Sequence, residues 1–176
     1  MAEEILKISI PLDDEHYLRR ECKLCKKEFK IKIDEKDLKE EIDILARKYI
    51  DNDSENNSEL VIEDKKLYYC PYCGKESEMI NFWTNAQEDY IHTHIQNYVN
   101  KIINDKLIKE LKKIGNTSNS FISIKTKELP YIEPFISPEE NDMDVFYLKC
   151  CDKSIKIMDA KEYIYCFYCG FKHKLN

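Results

Sequence analysis

Glycine is scarce in this sequence, with 3 in 176 residues, and there are only 4 histidines. That scarcity removes much familiar chemistry. A phosphate-cradling loop needs clustered glycines, and neither such a loop nor a nucleophile elbow occurs. There is no His-Glu-x-x-His, and no His-x-Glu accompanies a Cys-x-x-Cys pair as it does in zinc deaminases. His92 and His94 stand two apart on an expected helix, so they point in different directions and do not form a same-face metal pair. The chain is therefore read as a non-enzyme.

Long apolar runs are also missing: no stretch approaches the roughly 18 residues of a membrane span. The opening Met1-Ala2-Glu3-Glu4-Ile5 has no basic region followed by an apolar core, as a signal peptide would. A cytoplasmic protein with no membrane partner is expected. Basic charge is in deficit as well. The net charge of −6 weighs against indiscriminate nucleic-acid binding, which requires a basic face.

What the chain does have is cysteine, with 8 residues, and they fall into two sets of four. Tyr68-Tyr69-Cys70-Pro71-Tyr72-Cys73-Gly74 returns in shortened form as Tyr165-Cys166-Phe167-Tyr168-Cys169-Gly170. Cys22-Lys23-Leu24-Cys25 precedes the first copy and Cys150-Cys151 the second. Two cysteines separated by two residues reach one metal from a tight turn, so each phrase supplies half of a tetrahedral zinc site. The expected cofactor is two structural Zn²⁺ ions, one on Cys22, Cys25, Cys70 and Cys73, the other on Cys150, Cys151, Cys166 and Cys169. Adjacent cysteines bind one metal only if the backbone turns both sulfurs inward, and His173 is an alternative ligand there. Disulfides suit a secreted chain and are disfavoured. A small module buries little apolar surface, and structural zinc, at roughly 10–16 kcal/mol apparent, replaces the missing core.

An α+β fold follows: two zinc ribbons connected by a long amphipathic helix, with a helical insertion in the first ribbon. Ile5–Pro11 and Phe29–Ile33 read as strands on either side of the first cysteine pair. Leu38, Ile42, Leu45 and Tyr49 predict a helix over 34–50 with Asp34 as its N-cap, followed by a polar loop over 51–59. Thr84 and Gln87 form a capping box that opens a helix over 84–115, stopped by Gly115. Its apolar stripe changes line near Asn104-Asp105, which is the expected weak point. Strands follow at 121–125, 145–149 and 155–157, with a proline-punctuated stretch from Pro130 to Pro138 that admits neither helix nor central strand. Gly74 and Gly170 need positive φ to turn amides toward sulfur. The expected division is 1–83 for the first ribbon, 84–115 for the helix and 116–176 for the second ribbon. Strand, cysteine pair, hairpin and Cys-x-Tyr-Cys-Gly recur in both halves, as a degenerate duplication would produce.

Leu18 to Cys22, Cys25, Phe29, Lys30 and Cys70 to Gly74 carry a resemblance. The chain resembles small bacterial proteins of uncharacterised function with two zinc ribbons, in which Leu-Arg-Arg-Glu-Cys-x-x-Cys leads to Cys-Pro-Tyr-Cys-Gly. The resemblance implies the architecture and no activity, and the adjacent Cys150-Cys151 departs from it.

Four-cysteine sites leave no open coordination position, so the expected role is a non-catalytic adaptor that displays a protein-binding surface, with the 84–115 helix as scaffold or homodimer element. The alternative is a nucleic-acid module in which Arg19, Arg20, Lys26 and Lys27 contact phosphate and the tyrosines of the first ribbon stack on bases.

Overall fold

A computed structural model describes residues 8–51, 66–111, 127–159 and 162–175. Every cysteine pair sits in the turn of an antiparallel pair of strands. β1 (Tyr17–Glu21) and β2 (Glu28–Lys32) bracket Cys22 and Cys25, and β3 (Leu67–Tyr69) and β4 (Glu76–Glu78) bracket Cys70 and Cys73. The pattern repeats with β5 (Asp144–Leu148) and β6 (Lys153–Ile157) around Cys150 and Cys151, then β7 (Tyr163–Tyr165) and β8 (Lys172–Lys174) around Cys166 and Cys169.

The two long hairpins merge into one sheet of order β1-β2-β6-β5. Its central ladder sets Lys30 opposite Lys156, Phe29 opposite Ile157 and Ile31 opposite Ile155. Lys30 lies five residues after Cys25 and Lys156 five after Cys151, so equivalent residues of the two repeats face each other. That register is what a two-fold axis through the ladder produces, and the chain is in this respect a dimer folded within itself. Phe29 and Phe167 pack at 5.3 Å between ring centroids, Phe82 closes on both, and Leu148, Ile155 and Ile164 complete a buried core. Each such side chain contributes about 1.5–3 kcal/mol on burial, and here each serves both repeats.

The compact units reflect this merger. Ser9–Glu88 and Ile136–Asn176 form one unit, and Met1–Ile8 with Asp89–Phe135 the other. Both ribbons thus belong to a single unit, tied together by the β2–β6 ladder.

The upstream arm of the first hairpin is Tyr17–Glu21; residues 8–11, from the strand expected at Ile5–Pro11, are not in a strand, and residues 1–7 lie outside the described residues. The misplacement has a physical source. Arg20 faces inward, its guanidinium 4.4 Å from the centroid of Trp83 and paired with Glu41 at 2.7 Å, so the segment does not read as apolar alternation.

α1 (Glu35–Asp51) is the expected insertion, with Asp34 accepting the amide of Asp37 at 2.8 Å. Ile42 and Leu45 are its buried positions, and Glu41 from the same face meets Arg20. The polar loop expected at 51–59 lies outside the described residues except for Asp51, the last residue of α1.

α2 (Asn85–Ile102) opens on the expected capping box. The Gln87 amide donates to Thr84 Oγ1 at 3.2 Å, and Gln87 Oε1 accepts the Thr84 amide at 3.1 Å. The helix widens into π turns over Ile103–Ile108, where the apolar stripe changes line at Asn104-Asp105. An inserted π turn shifts which face the following residues present, and it accommodates such a drift without breaking the helix. Gly115 and the strand expected at 121–125 lie outside the described residues.

Candidate metal centres

All four cysteine turns share one device. The residue after each second cysteine is left-handed: Lys26 at φ 59°, Gly74 at 70°, Asp152 at 51° and Gly170 at 74°. In three of the turns the first cysteine closes the loop identically. The amides of Lys26, Gly74 and Gly170 reach the carbonyls of Cys22, Cys70 and Cys166, and the cysteine amides return to Lys27, Lys75 and Phe171, at distances of 2.8 to 3.0 Å. This aims backbone N–H groups at sulfur and stabilises the thiolate that binds metal. Cys169 accordingly has its pKa lowered, chiefly by the Phe171 amide. Burial pushes up the Cys22 thiol, but the amides of Cys25 and Leu24, together with the thiols of Cys70 and Cys25, outweigh it and the net shift is downward.

The first group joins Cys22, Cys25, Cys70 and Cys73, and the second Cys150, Cys151, Cys166 and Cys169, with all sulfurs in each group within 4.8 Å of one another. In the first, Cys22 and Cys73 are 3.8 Å apart and Cys25 and Cys70 3.6 Å; in the second, Cys151 and Cys166 are 3.7 Å apart and Cys150 and Cys169 3.6 Å. A tetrahedron with metal–sulfur bonds of about 2.3 Å has edges of about 3.8 Å. The sulfurs therefore stand where a four-thiolate ion would place them, and both groups can hold a metal. All eight cysteines are free thiols.

The adjacent pair Cys150-Cys151 does turn both sulfurs inward. Counted back from the left-handed residue, Leu148 holds the position that Cys22 holds in the first repeat, and it is fully buried. The ligand has moved two residues along the chain, into a tighter turn in which the Cys151 amide bonds the Leu148 carbonyl at 3.1 Å. The consequence is exposure: Cys22 is buried, whereas Cys150 is exposed, although Cys70 and its counterpart Cys166 are both buried. Burial pushes the Cys70 thiol strongly up, and it pushes the Cys151 thiol up to about 11. His173, the alternative ligand, lies outside the sulfur group; its Nε2 is 3.1 Å from Cys150 Sγ, in hydrogen-bond range.

The two centres lock onto each other reciprocally. The Tyr69 amide donates to the Phe167 carbonyl at 2.9 Å, and the Tyr165 amide to the Pro71 carbonyl at 2.8 Å. A Cβ added at Gly74 would stand 2.9 Å from the Tyr165 ring, and one at Gly170 would stand 3.0 Å from the Tyr69 ring. Glycine is thus required twice over at both positions, by backbone conformation and by the ring of the other repeat. Lys27 covers the ring of Tyr72 at 4.7 Å, and Lys153 covers that of Tyr168 at 4.2 Å. These interlocking contacts and the tyrosine roles were not read from the sequence, although the matching offsets from each cysteine carried the signal.

The residues expected to contact phosphate are dispersed. Arg20 is fully buried, and Arg19 is held by Glu28, Glu139 and Asp142 at 2.6 to 2.7 Å. Lys26 is exposed and pairs with Glu21 at 3.3 Å, while Lys27 lies over Tyr72. No helix among the described residues is long and apolar enough to cross a membrane. No protein-family model, curated protein or solved structure matches this chain.

Proposed function

We propose that the protein is a non-catalytic, zinc-structured adaptor in which two Zn²⁺ ions, one on each four-cysteine group, hold a platform for binding another protein. The observation that carries this reading is the closure of both coordination spheres: four sulfurs at tetrahedral edge distances leave no position for water or substrate. Zinc suits an all-thiolate tetrahedron, and the ion stabilises the fold by binding deprotonated sulfur. The same reading agrees with the resemblance to small two-ribbon bacterial proteins and with a cytoplasmic setting, where free thiols persist.

The nucleic-acid alternative draws less support, because Arg20 is buried and Arg19 is neutralised by three carboxylates. Native mass spectrometry of purified protein tests the metal reading. The expected mass includes two zinc ions per chain; disulfide-paired cysteines and no metal in a reduced preparation would overturn it.

A further inference from the structure

The second centre carries a pair of cysteines unlike any in the first. Within the two sulfur groups, four pairs that cross from one turn to the other lie at 3.6 to 3.8 Å: Cys22 with Cys73, Cys25 with Cys70, Cys151 with Cys166 and Cys150 with Cys169. Three of these pairs include a buried residue, Cys22, Cys70 or Cys166. Only in the fourth are both members, Cys150 and Cys169, exposed. A further difference lies beside the same sulfur. His173 Nε2 stands 3.1 Å from Cys150 Sγ, whereas the residue at the same offset from the last cysteine of the first repeat is Ser77, whose hydroxyl accepts the side-chain amide of Asn81 at 3.0 Å.

We propose that Cys150 and Cys169 are a site of reversible oxidative modification, at which a peroxide converts the two thiolates to a disulfide and the second centre releases its Zn²⁺ while the first keeps its own. The inference rests on the zinc reading proposed above and adds a chemical event at one of the two centres. Thiolate is the reactive form of cysteine, and metal binding holds every ligand in that form, so access decides which sulfurs react. Each close pair of the first centre has a buried member, and that centre therefore offers peroxide no equivalent pair.

The Cys150 thiolate attacks one oxygen of hydrogen peroxide, the O–O bond breaks, and a sulfenic acid forms on Cys150 as the other oxygen departs as hydroxide. The Cys169 thiolate then attacks the Cys150 sulfur; the S–S bond forms, and the S–O bond breaks to release a second hydroxide. Two protons convert the hydroxides to water, and His173 stands where it can pass one to the oxygen leaving Cys150. The two sulfurs together lose two electrons, the peroxide gains them, and zinc keeps its oxidation state. With two of four thiolates consumed the centre no longer holds Zn²⁺, and Cys151 and Cys166 take up protons. The disulfide joins the β5–β6 turn to the β7–β8 turn, the same two turns that the ion joins, so a cross-link remains there after the ion has left.

Hydrogen peroxide added to the purified full-length protein tests this, with a chromophoric chelator following metal release and mass spectrometry of unreduced digests mapping disulfides. The expected result is one Zn²⁺ per chain released at least about tenfold faster than the other, together with a Cys150–Cys169 disulfide, while Cys22, Cys25, Cys70 and Cys73 stay reduced. A phosphine reductant with added Zn²⁺ then restores the starting stoichiometry. Cys169→Ser leaves Cys150 without a resolving thiol and is expected to accumulate a sulfenic acid on Cys150 that dimedone traps; the mapping in the parent protein decides the matter where that variant fails to fold. Two ions present at the start but released at equal rates or not at all, a first disulfide at any other pair, or sulfinic acid in place of the disulfide would overturn this inference and leave the zinc reading standing. Protein that carries no zinc before the oxidant is added would overturn both.

Discussion

The two repeats build their candidate metal centres from similar turns and expose them differently. In the first, Cys22 is buried, with α1 inserted between β2 and β3; in the second, its counterpart Cys150 is exposed and no helix intervenes between β6 and β7 among the described residues, while Cys70 and its counterpart Cys166 are both buried. The cause is a two-residue displacement of one ligand, from the position now held by Leu148 to Cys150. The core gains a leucine at that point and the metal centre loses cover. Identical first-sphere chemistry can thus carry different lability, since burial, and not ligand type, separates the sites.

The strongest test of that comparison asks whether the repeats are independent at all. Because β2 pairs with β6 and the knuckles exchange amides with each other's carbonyls, loss of one centre should propagate. Cys70→Ser removes a buried ligand and is expected to unfold both ribbons together, since the lost binding energy is comparable to the roughly 5–15 kcal/mol of a whole domain. Amide spectra should show resonances of β5 and β6 collapsing with those of β1 and β2. Survival of a folded second ribbon would show that the merged sheet is not cooperative.

The reciprocal glycines offer a smaller perturbation. Gly74→Ala and Gly170→Ala each impose a left-handed alanine and press a Cβ against a tyrosine ring of the other repeat, at an expected cost of about 2 kcal/mol. Chemical denaturation should give similar losses for the two, because the contacts are equivalent. Adding Tyr165→Leu to Gly74→Ala should recover part of the loss, whereas the same addition to Gly170→Ala should not.

His173 distinguishes the centres directly. His173→Phe keeps a ring beside Phe146 and Phe171 but removes the hydrogen bond to Cys150. An outer-sphere loss of this kind weakens metal affinity by roughly tenfold. Competition with a chromophoric chelator should show one ion released more readily in the variant and the other unchanged; equal release of both would place His173 outside the metal's influence.

Much of the candidate site was legible because zinc spacing leaves little freedom: two cysteine pairs and a following glycine dictate a turn almost without reference to the rest of the chain. The helix caps at Asp34 and Thr84 were equally local, and both formed. What escaped was non-local or disguised. β1 was missed because Arg20 occupies an inward position that apolar alternation reserves for hydrophobic residues, and only Trp83 and Glu41, distant in sequence, make that burial tolerable. The pairing of β2 with β6 was hidden for the opposite reason: Lys30 and Lys156 look like solvent-facing residues, yet both are fully buried at the centre of the sheet.

Those two lysines support the finest test of the comparison, since they are equivalent in position and differ in their partners. Lys156 is held by Asp13 at 2.8 Å and by Glu15, whereas Lys30 is held by Asp142 at 2.8 Å and Glu139 at 2.9 Å, with Asp13 farther off at 3.5 Å. Partial burial opposes ionisation of Asp142, but Arg19 and Lys30 outweigh it and bring its pKa down to about 2. A carboxylate whose folded pKa lies below its unfolded value near 3.8 adds stability that is complete above that value and disappears as pH falls through about 2. Asp142→Asn should therefore cost about 1 kcal/mol after allowance for solvent screening, and the cost should be the same at pH 5 and pH 8, because both lie above the two pKa values. Urea denaturation of variant and parent at those two pH values measures it. A cost that shrinks sharply at pH 5 would mean that Asp142 is not held down by the cations.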